Sequence, residues 1–108
     1  MATSDILSAG DVEAAGISDW RLLDGALRAH FATGSFATGL ALVNRIGALA
    51  EEANHHPDVD LRYPHVGVTL VSHDVWGVTS RDVDLARQIS AAARELGVGA
   101  DPSQLDEG

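Results

Sequence analysis

Asp24-Gly25, set between two short apolar runs, constrains this chain most. Asp-Gly suits the two left-handed positions of a tight hairpin turn, whose twist matches that of paired strands. Trp20–Leu23 and Ala26–Phe31 therefore read as antiparallel strands. Ser35 follows as an N-cap. Beyond it Phe36, Leu40, Val43, Gly47 and Ala50 recur at helical spacing, with Leu42, Ile46 and Leu49 beside them. The spacing predicts one amphipathic helix over Phe36–Ala53. Asn54 tolerates the left-handed conformation that ends a helix, and Pro57 blocks its continuation.

The remaining elements follow from the same signals. Ser8 caps a short helix over Ala9–Ala15, with Asp11 three residues on and Gly16 as its stop. Val59–Tyr63 reads as a strand with Val59, Leu61 and Tyr63 on one face, and Pro64-His65 as a turn. Val66–His73 carries apolar residues on both faces, which predicts a central strand closed by His73. Thr79 and Asp82 form a capping box for a helix that runs to Leu96 and stops at Gly97. The order helix-strand-strand-helix-strand-strand-helix predicts an α+β fold, an antiparallel sheet with helices on one face. Residues 1–7 are expected to be a flexible leader, 8–97 a single domain, and 98–108 an acidic disordered tail.

Composition narrows the function classes. A chain of 108 residues holds one domain. Such a chain buries roughly 65% of its unfolded surface, enough for a modest core without staples. Cysteine is absent, which excludes a disulfide scaffold, a thiol nucleophile and cysteine-ligated metals. Seven basic residues, all arginine, face sixteen acidic ones for a net charge of −9. That balance repels a phosphate backbone and disfavours both nucleic acid and membrane surfaces as partners. No apolar run approaches the ~18 residues of a membrane span, and Met1–Gly10 lacks a basic segment and an apolar core. The expected location is cytoplasmic.

The chemistry concentrates in Glu51, His55, His56, Pro57 and His73. His55 and His56 follow the C-terminal end of the long helix, where partial negative charge favours an imidazolium. A histidine there is a candidate general acid near neutral pH. Both rings can face one cleft only if the chain turns at Asn54. His73 ends a strand and could lean toward the same cleft. The plain alternative is that a His-His pair is surface loop. A three-imidazole zinc site is a weaker alternative, because adjacent histidines seldom reach one ion and no His-x-x-x-His pair exists. His30 and His65 read as ordinary hairpin residues.

The run Glu51-Glu52-Ala53-Asn54-His55-His56-Pro57, then Tyr63, Ser72-His73, Gly77-Val78-Thr79 and Asp82, resembles the signature of the pterin-4a-carbinolamine dehydratases. The likeness extends upstream through Trp20, Asp24-Gly25, Phe31 and Phe36, and spans about Ser8–Gly97. It implies a four-stranded antiparallel sheet with three helices. It also implies a cofactor-free, metal-free dehydration of 4a-hydroxytetrahydropterin to quinonoid dihydropterin. By that resemblance the catalytic set is His55, His56 and His73, with His55 and His73 as the acid/base pair and His56 mainly binding. The substrate contacts would be His55, His56, Pro57, Ser72, His73, Asp74 and Val75. Glu51 could orient an imidazole; Asp82 could do the same or simply cap its helix. Relatives form homodimers or homotetramers and depend on a hydroxylase to supply the carbinolamine. Others act as non-catalytic dimerisation or assembly cofactors, the alternative function for this chain. Trp76 stands where relatives often carry glycine, and Thr33, Gly39 and Leu42 stand where they tend to carry phenylalanine.

Overall fold

A computed structural model of the chain describes residues 5–105. Three α-helices and five strands alternate as α1 (Ala9–Ala14), β1 (Arg21–Leu23), β2 (Ala26–Ala32), α2 (Phe36–Ala53), β3 (Asp58–Leu61), β4 (His65–Leu70), α3 (Ser80–Glu95) and β5 (Gly99–Ala100). The fold is α+β, as expected. The sheet is antiparallel and ordered β1-β2-β4-β3, so β4 is central. Asp24 and Gly25 both take positive φ, 51° and 78°, and close the β1–β2 hairpin with Leu23 opposite Ala26.

One face of the sheet forms the core. Leu27, Ala29 and Phe31 on β2 alternate inward with Val66, Val68 and Leu70 on β4. Leu42 and Ile46 from α2, and Leu85, Ala86 and Ile89 from α3, cover them. Full burial of a side chain such as Phe31 is worth roughly 1.5–3 kcal/mol. Trp20 meets Phe31 edge to face at 6.0 Å, and its indole N–H donates to Ser90 Oγ at 3.0 Å. Gly39 lies deep in the α2 contact. A Cβ there would stand 2.8 Å from Leu61 Cδ1, so the absent side chain is what lets α2 approach β3. Arg28, His30, His65, Gly67 and Thr69 alternate to the opposite, open face.

Three expectations change. The sheet has a fifth strand. β5 pairs with Phe31 and Ala32 of β2, and Asp101 N–H donates to the His30 carbonyl at 2.8 Å. The segment expected to be a disordered tail therefore extends the β1 edge, and a short 3-10 turn, Pro102–Gln104, follows it. Residues 106–108 lie outside the described part. Val98 drives the docking: it is apolar, buried and placed just after the α3 stop. At the other end, Leu7 N–H donates to the Val78 carbonyl at 2.8 Å, so the expected leader is tied down from there; residues 1–4 are not described. Finally, β3 stops at Leu61, so Tyr63 lies exposed in the β3–β4 turn and not on a strand face with Val59 and Leu61. Among the described residues no helix is long and apolar enough to cross a membrane.

Candidate active site

The α2 terminus positions the two adjacent histidines. Asn54 takes φ 51° and ψ 43°, and His55 N–H returns to the Ala50 carbonyl at 3.1 Å, a closing bond typical of a left-handed helix end. The chain reverses there, as the sequence requires. The two rings nevertheless part company. His55 turns inward, with 13% of its side chain exposed, while His56 stays outside at 56%.

His55 Nε2 meets Asp82 Oδ1 at 2.5 Å, and Asp82 is fully buried. Asp82 is placed by its own helix: its Oδ2 accepts the Thr79 backbone N–H at 2.9 Å and completes the α3 capping box. The same oxygen accepts from the Ser72 hydroxyl at 2.8 Å, and Ser72 Oγ lies 2.9 Å from Thr79 Oγ1. A carboxylate only accepts, so the direction of each proton follows. Thr79 O–H donates to Ser72, Ser72 O–H donates to Asp82, and His55 Nε2–H donates to Asp82. That leaves His55 Nδ1 uncommitted to Asp82. Asp82 thus both caps α3 and contacts the His55 ring.

The second half of the site is the turn from Ser72 to Gly77. It follows β4, which ends at Leu70, so His73 sits on a turn and not at the strand's end. Ser72 N–H donates to the Gly77 carbonyl at 3.0 Å, and Gly77 N–H to the Ser72 carbonyl at 3.4 Å. Val75 N–H donates to the Ser72 carbonyl at 3.2 Å. Every polar group of Ser72 thus has an internal partner, while His73 and Asp74 are exposed. The His73 ring contacts the Trp76 indole at 5.3 Å and 89°. Asp74 takes two bonds from Arg81, at 2.8 and 3.1 Å. The Arg81 guanidinium holds the Asp74 carboxyl below the usual carboxylate range. Since Ser72 and His55 share one carboxylate, the His-His-Pro segment and the 72–77 turn meet at Asp82.

Glu51 pairs with His56, its Oε2 2.5 Å from Nε2, on the solvent side. A groove of about 340 Å³ between α2 and β3 has Val43, Ile46, Glu51, His56 and Pro57 on its walls. Sequence reasoning missed Arg81 and Thr79 as parts of the site. Thr79 announces itself only as a cap, and nothing in sequence spacing signals that Arg81 reaches back to Asp74. Among the described residues no group of three His, Asp or Glu side chains has the geometry to hold a metal ion.

A small α+β domain with an imidazole locked on a buried, helix-capping carboxylate is the class that fold and site define. The profile of the family described as pterin 4 alpha carbinolamine dehydratase matches residues 5–92. The chain belongs to that family. A Nocardia farcinica protein provisionally named a pterin-4-alpha-carbinolamine dehydratase is 39% identical over 94 residues, covering 85% of this chain and 99% of the relative. An Acidobacterium capsulatum protein with the same provisional name is 50% identical over 56 residues, 52% of this chain and 61% of the relative. Among solved structures, a transcriptional coactivator/pterin dehydratase from Brucella melitensis superposes with a TM-score of 0.76 at 29% identity, covering 82% of this chain and 99% of that one. A pterin dehydratase-like protein identified as a RuBisCO assembly factor in the alpha-carboxysome gives 0.59 at 27% identity, covering 69% of this chain and 89% of that one.

Proposed function

We propose that the chain is a dehydratase that removes water from 4a-hydroxytetrahydropterin and gives quinonoid dihydropterin. The leaving 4a-hydroxyl needs a proton and the adjacent ring nitrogen must lose one, so the net proton count is zero. Imidazoles suit both transfers, since their unperturbed pKa of about 6.5 lies near working pH. His55 and His73 form the acid/base pair, and His56 with Pro57 binds and orients the ring. Main-chain groups of His73, Asp74 and Val75 serve the amide edge of the pterin. Ser72 and Asp82 hold the two halves of the site together.

The observation that carries this reading is the His55–Asp82 contact at 2.5 Å with Ser72 on the same carboxylate. It commits one ring nitrogen of His55 to the protein and frees the other. A neutral His55 then accepts a proton at Nδ1, and a protonated one gives it up at the same atom. A carboxylate partner alone is not enough, since the exposed His56–Glu51 pair has one too; it is the full burial of Asp82 that sets His55 apart. His55→Ala should lower turnover of a synthetic 4a-carbinolamine by at least ~10²-fold, the scale of a lost acid/base group. Unchanged turnover in a folded variant would remove His55 from the chemistry.

Likeness to the carboxysomal assembly factor supports a second reading, a non-catalytic assembly role on the same fold. Purified protein without turnover or pterin binding, but with a stable protein partner, would favour it. We also propose a homodimer or homotetramer, because β3 leaves a sheet edge uncovered. Light scattering that shows only monomer at micromolar concentration argues against this.

A further inference from the structure

Among the described residues, three that are not glycine adopt positive φ: Asp24, Asn54 and Trp76. Asp and Asn tolerate that region because their short side chains bond locally; a bulky aromatic does not. Trp76 sits at φ 54°, and it is the most exposed of the large apolar residues at 76%. Strain and exposed apolar surface coincide on one residue, and the fold gains little in return. The ring that Trp76 meets is that of His73, at 5.3 Å and 89°. Glycine would satisfy the backbone at this position without strain.

The turn that carries Trp76 is tied at both ends. The paired Ser72 and Gly77 main chains close it, and Arg81 clamps Asp74. Gly77 is pressed under Ile6, where an added Cβ would lie 2.9 Å from Ile6 Cγ2. The indole is therefore presented at a fixed place, beside one proposed catalytic imidazole and on a turn anchored to the carboxylate that holds the other. Bulky residues held in strained backbone next to reactive groups are a pattern of functional sites. A flat, exposed indole matches a flat heterocycle, because every such ring offers a π-face.

We propose that Trp76 is a specificity-determining wall of the substrate site, which stacks on the planar face of the pterin. This rests on the dehydratase reading for the identity of the ligand. The test uses the full chain, with 7,8-dihydropterin as the binding probe and the 4a-carbinolamine as substrate. Trp76→Gly should weaken dihydropterin binding and raise KM by roughly 10-fold or more, while kcat changes less than about threefold. Trp76→Phe should restore both to within about threefold of the parent, because it returns a π-face. Trp76→Gly should unfold at no lower denaturant concentration than the parent, which separates the effect from misfolding.

Unchanged binding and KM in Trp76→Gly overturn the wall, and so does a loss confined to kcat. If the parent binds dihydropterin through Trp76 but does not dehydrate the carbinolamine, the dehydratase reading fails and the wall stands. If the parent dehydrates and Trp76→Gly matches it, the wall fails and the reading stands.

Discussion

The histidines of this chain occupy two regions with opposite logic. At the end of α2, His55 is bonded to a buried carboxylate and keeps one nitrogen spare. On the open face of the sheet, His30 and His65 stack on each other with ring centroids 4.2 Å apart and planes 25° apart. That pair is the closest ring contact among the described residues, yet the proposed mechanism gives it no acid/base role. Burial is the first reason that His30 titrates below the ordinary histidine value, and a charge on His65 is the second; Asp101 opposes both. The stacked His65 ring discourages protonation of His30. An imidazole on a carboxylate is oriented and left with a free site. Proximity between histidines is thus poor evidence of chemistry, whereas a nitrogen committed to a fully buried carboxylate is better evidence than a solvent-exposed pair such as His56–Glu51.

The largest effect that could break this contrast comes from exchanging roles. His55→Ala should cost at least ~10²-fold in turnover, while His30→Gln should leave turnover within about twofold. Equal losses in both variants, measured by following quinonoid dihydropterin in stopped flow, would erase the distinction. Asp82→Asn comes next. The amide cannot accept from His55, Ser72 and the Thr79 backbone at once, so one donor is left facing another. Turnover should fall by ~10-fold or more, the scale of a lost orienting partner. Stability should fall by about 1–3 kcal/mol in urea denaturation, since a buried donor loses its acceptor.

Much of the fold was legible because it is written in local signals. Ser35 and Asn54 bound α2 at the residues the sequence predicts, since a cap needs only its own few neighbours. The Asp82 capping box was legible for the same reason. Its bond to His55 was not, because the two residues lie on different elements and their meeting depends on how α3 seats against the sheet. β5 was missed because two residues, Gly99 and Ala100, carry no period of their own; they pair only because Val98 is buried beside an open β2 edge. Likewise the β4 pattern of Val66, Val68 and Leu70 could not say that His73 leaves the strand, since the Ser72–Gly77 pairing that lifts it off is nonlocal to the alternation.

A smaller effect sharpens the comparison inside the site itself. His56 and Glu51 also form a bonded pair, but with 56% and 78% of their side chains exposed. Water competes for that bond, and exposed ion pairs contribute little, about 0–1 kcal/mol. Glu51→Gln should therefore leave stability unchanged within error. Because His56 is proposed to bind rather than to transfer a proton, the variant should raise KM by no more than about fivefold and leave kcat alone, as expected for a loss of uniform binding. A drop in kcat comparable to that of Asp82→Asn would put His56 on the proton path and dissolve the distinction between the inward and outward rings.

The smallest effect belongs to the stacked pair, and it is one of stability. His30 is held below its ordinary value of 6.5 in the folded chain, by desolvation first and by the His65 charge second, with Asp101 pulling the other way. On acidification through about 6.5 the unfolded chain therefore takes up a proton before the folded chain does. Unfolding is favoured by that uptake, so stability is fully present above about 6.5 and declines as pH falls toward the folded value. His30→Gln removes the group from both states. Its urea midpoint should drop less than the parent's between about pH 7.5 and about pH 5.5, with the two proteins sharing every other titrating group. The opposite sign, a parent that gains stability relative to the variant on acidification, would mean that Asp101 outweighs burial and His65 together, and that the open-face pair is an ion-paired site after all.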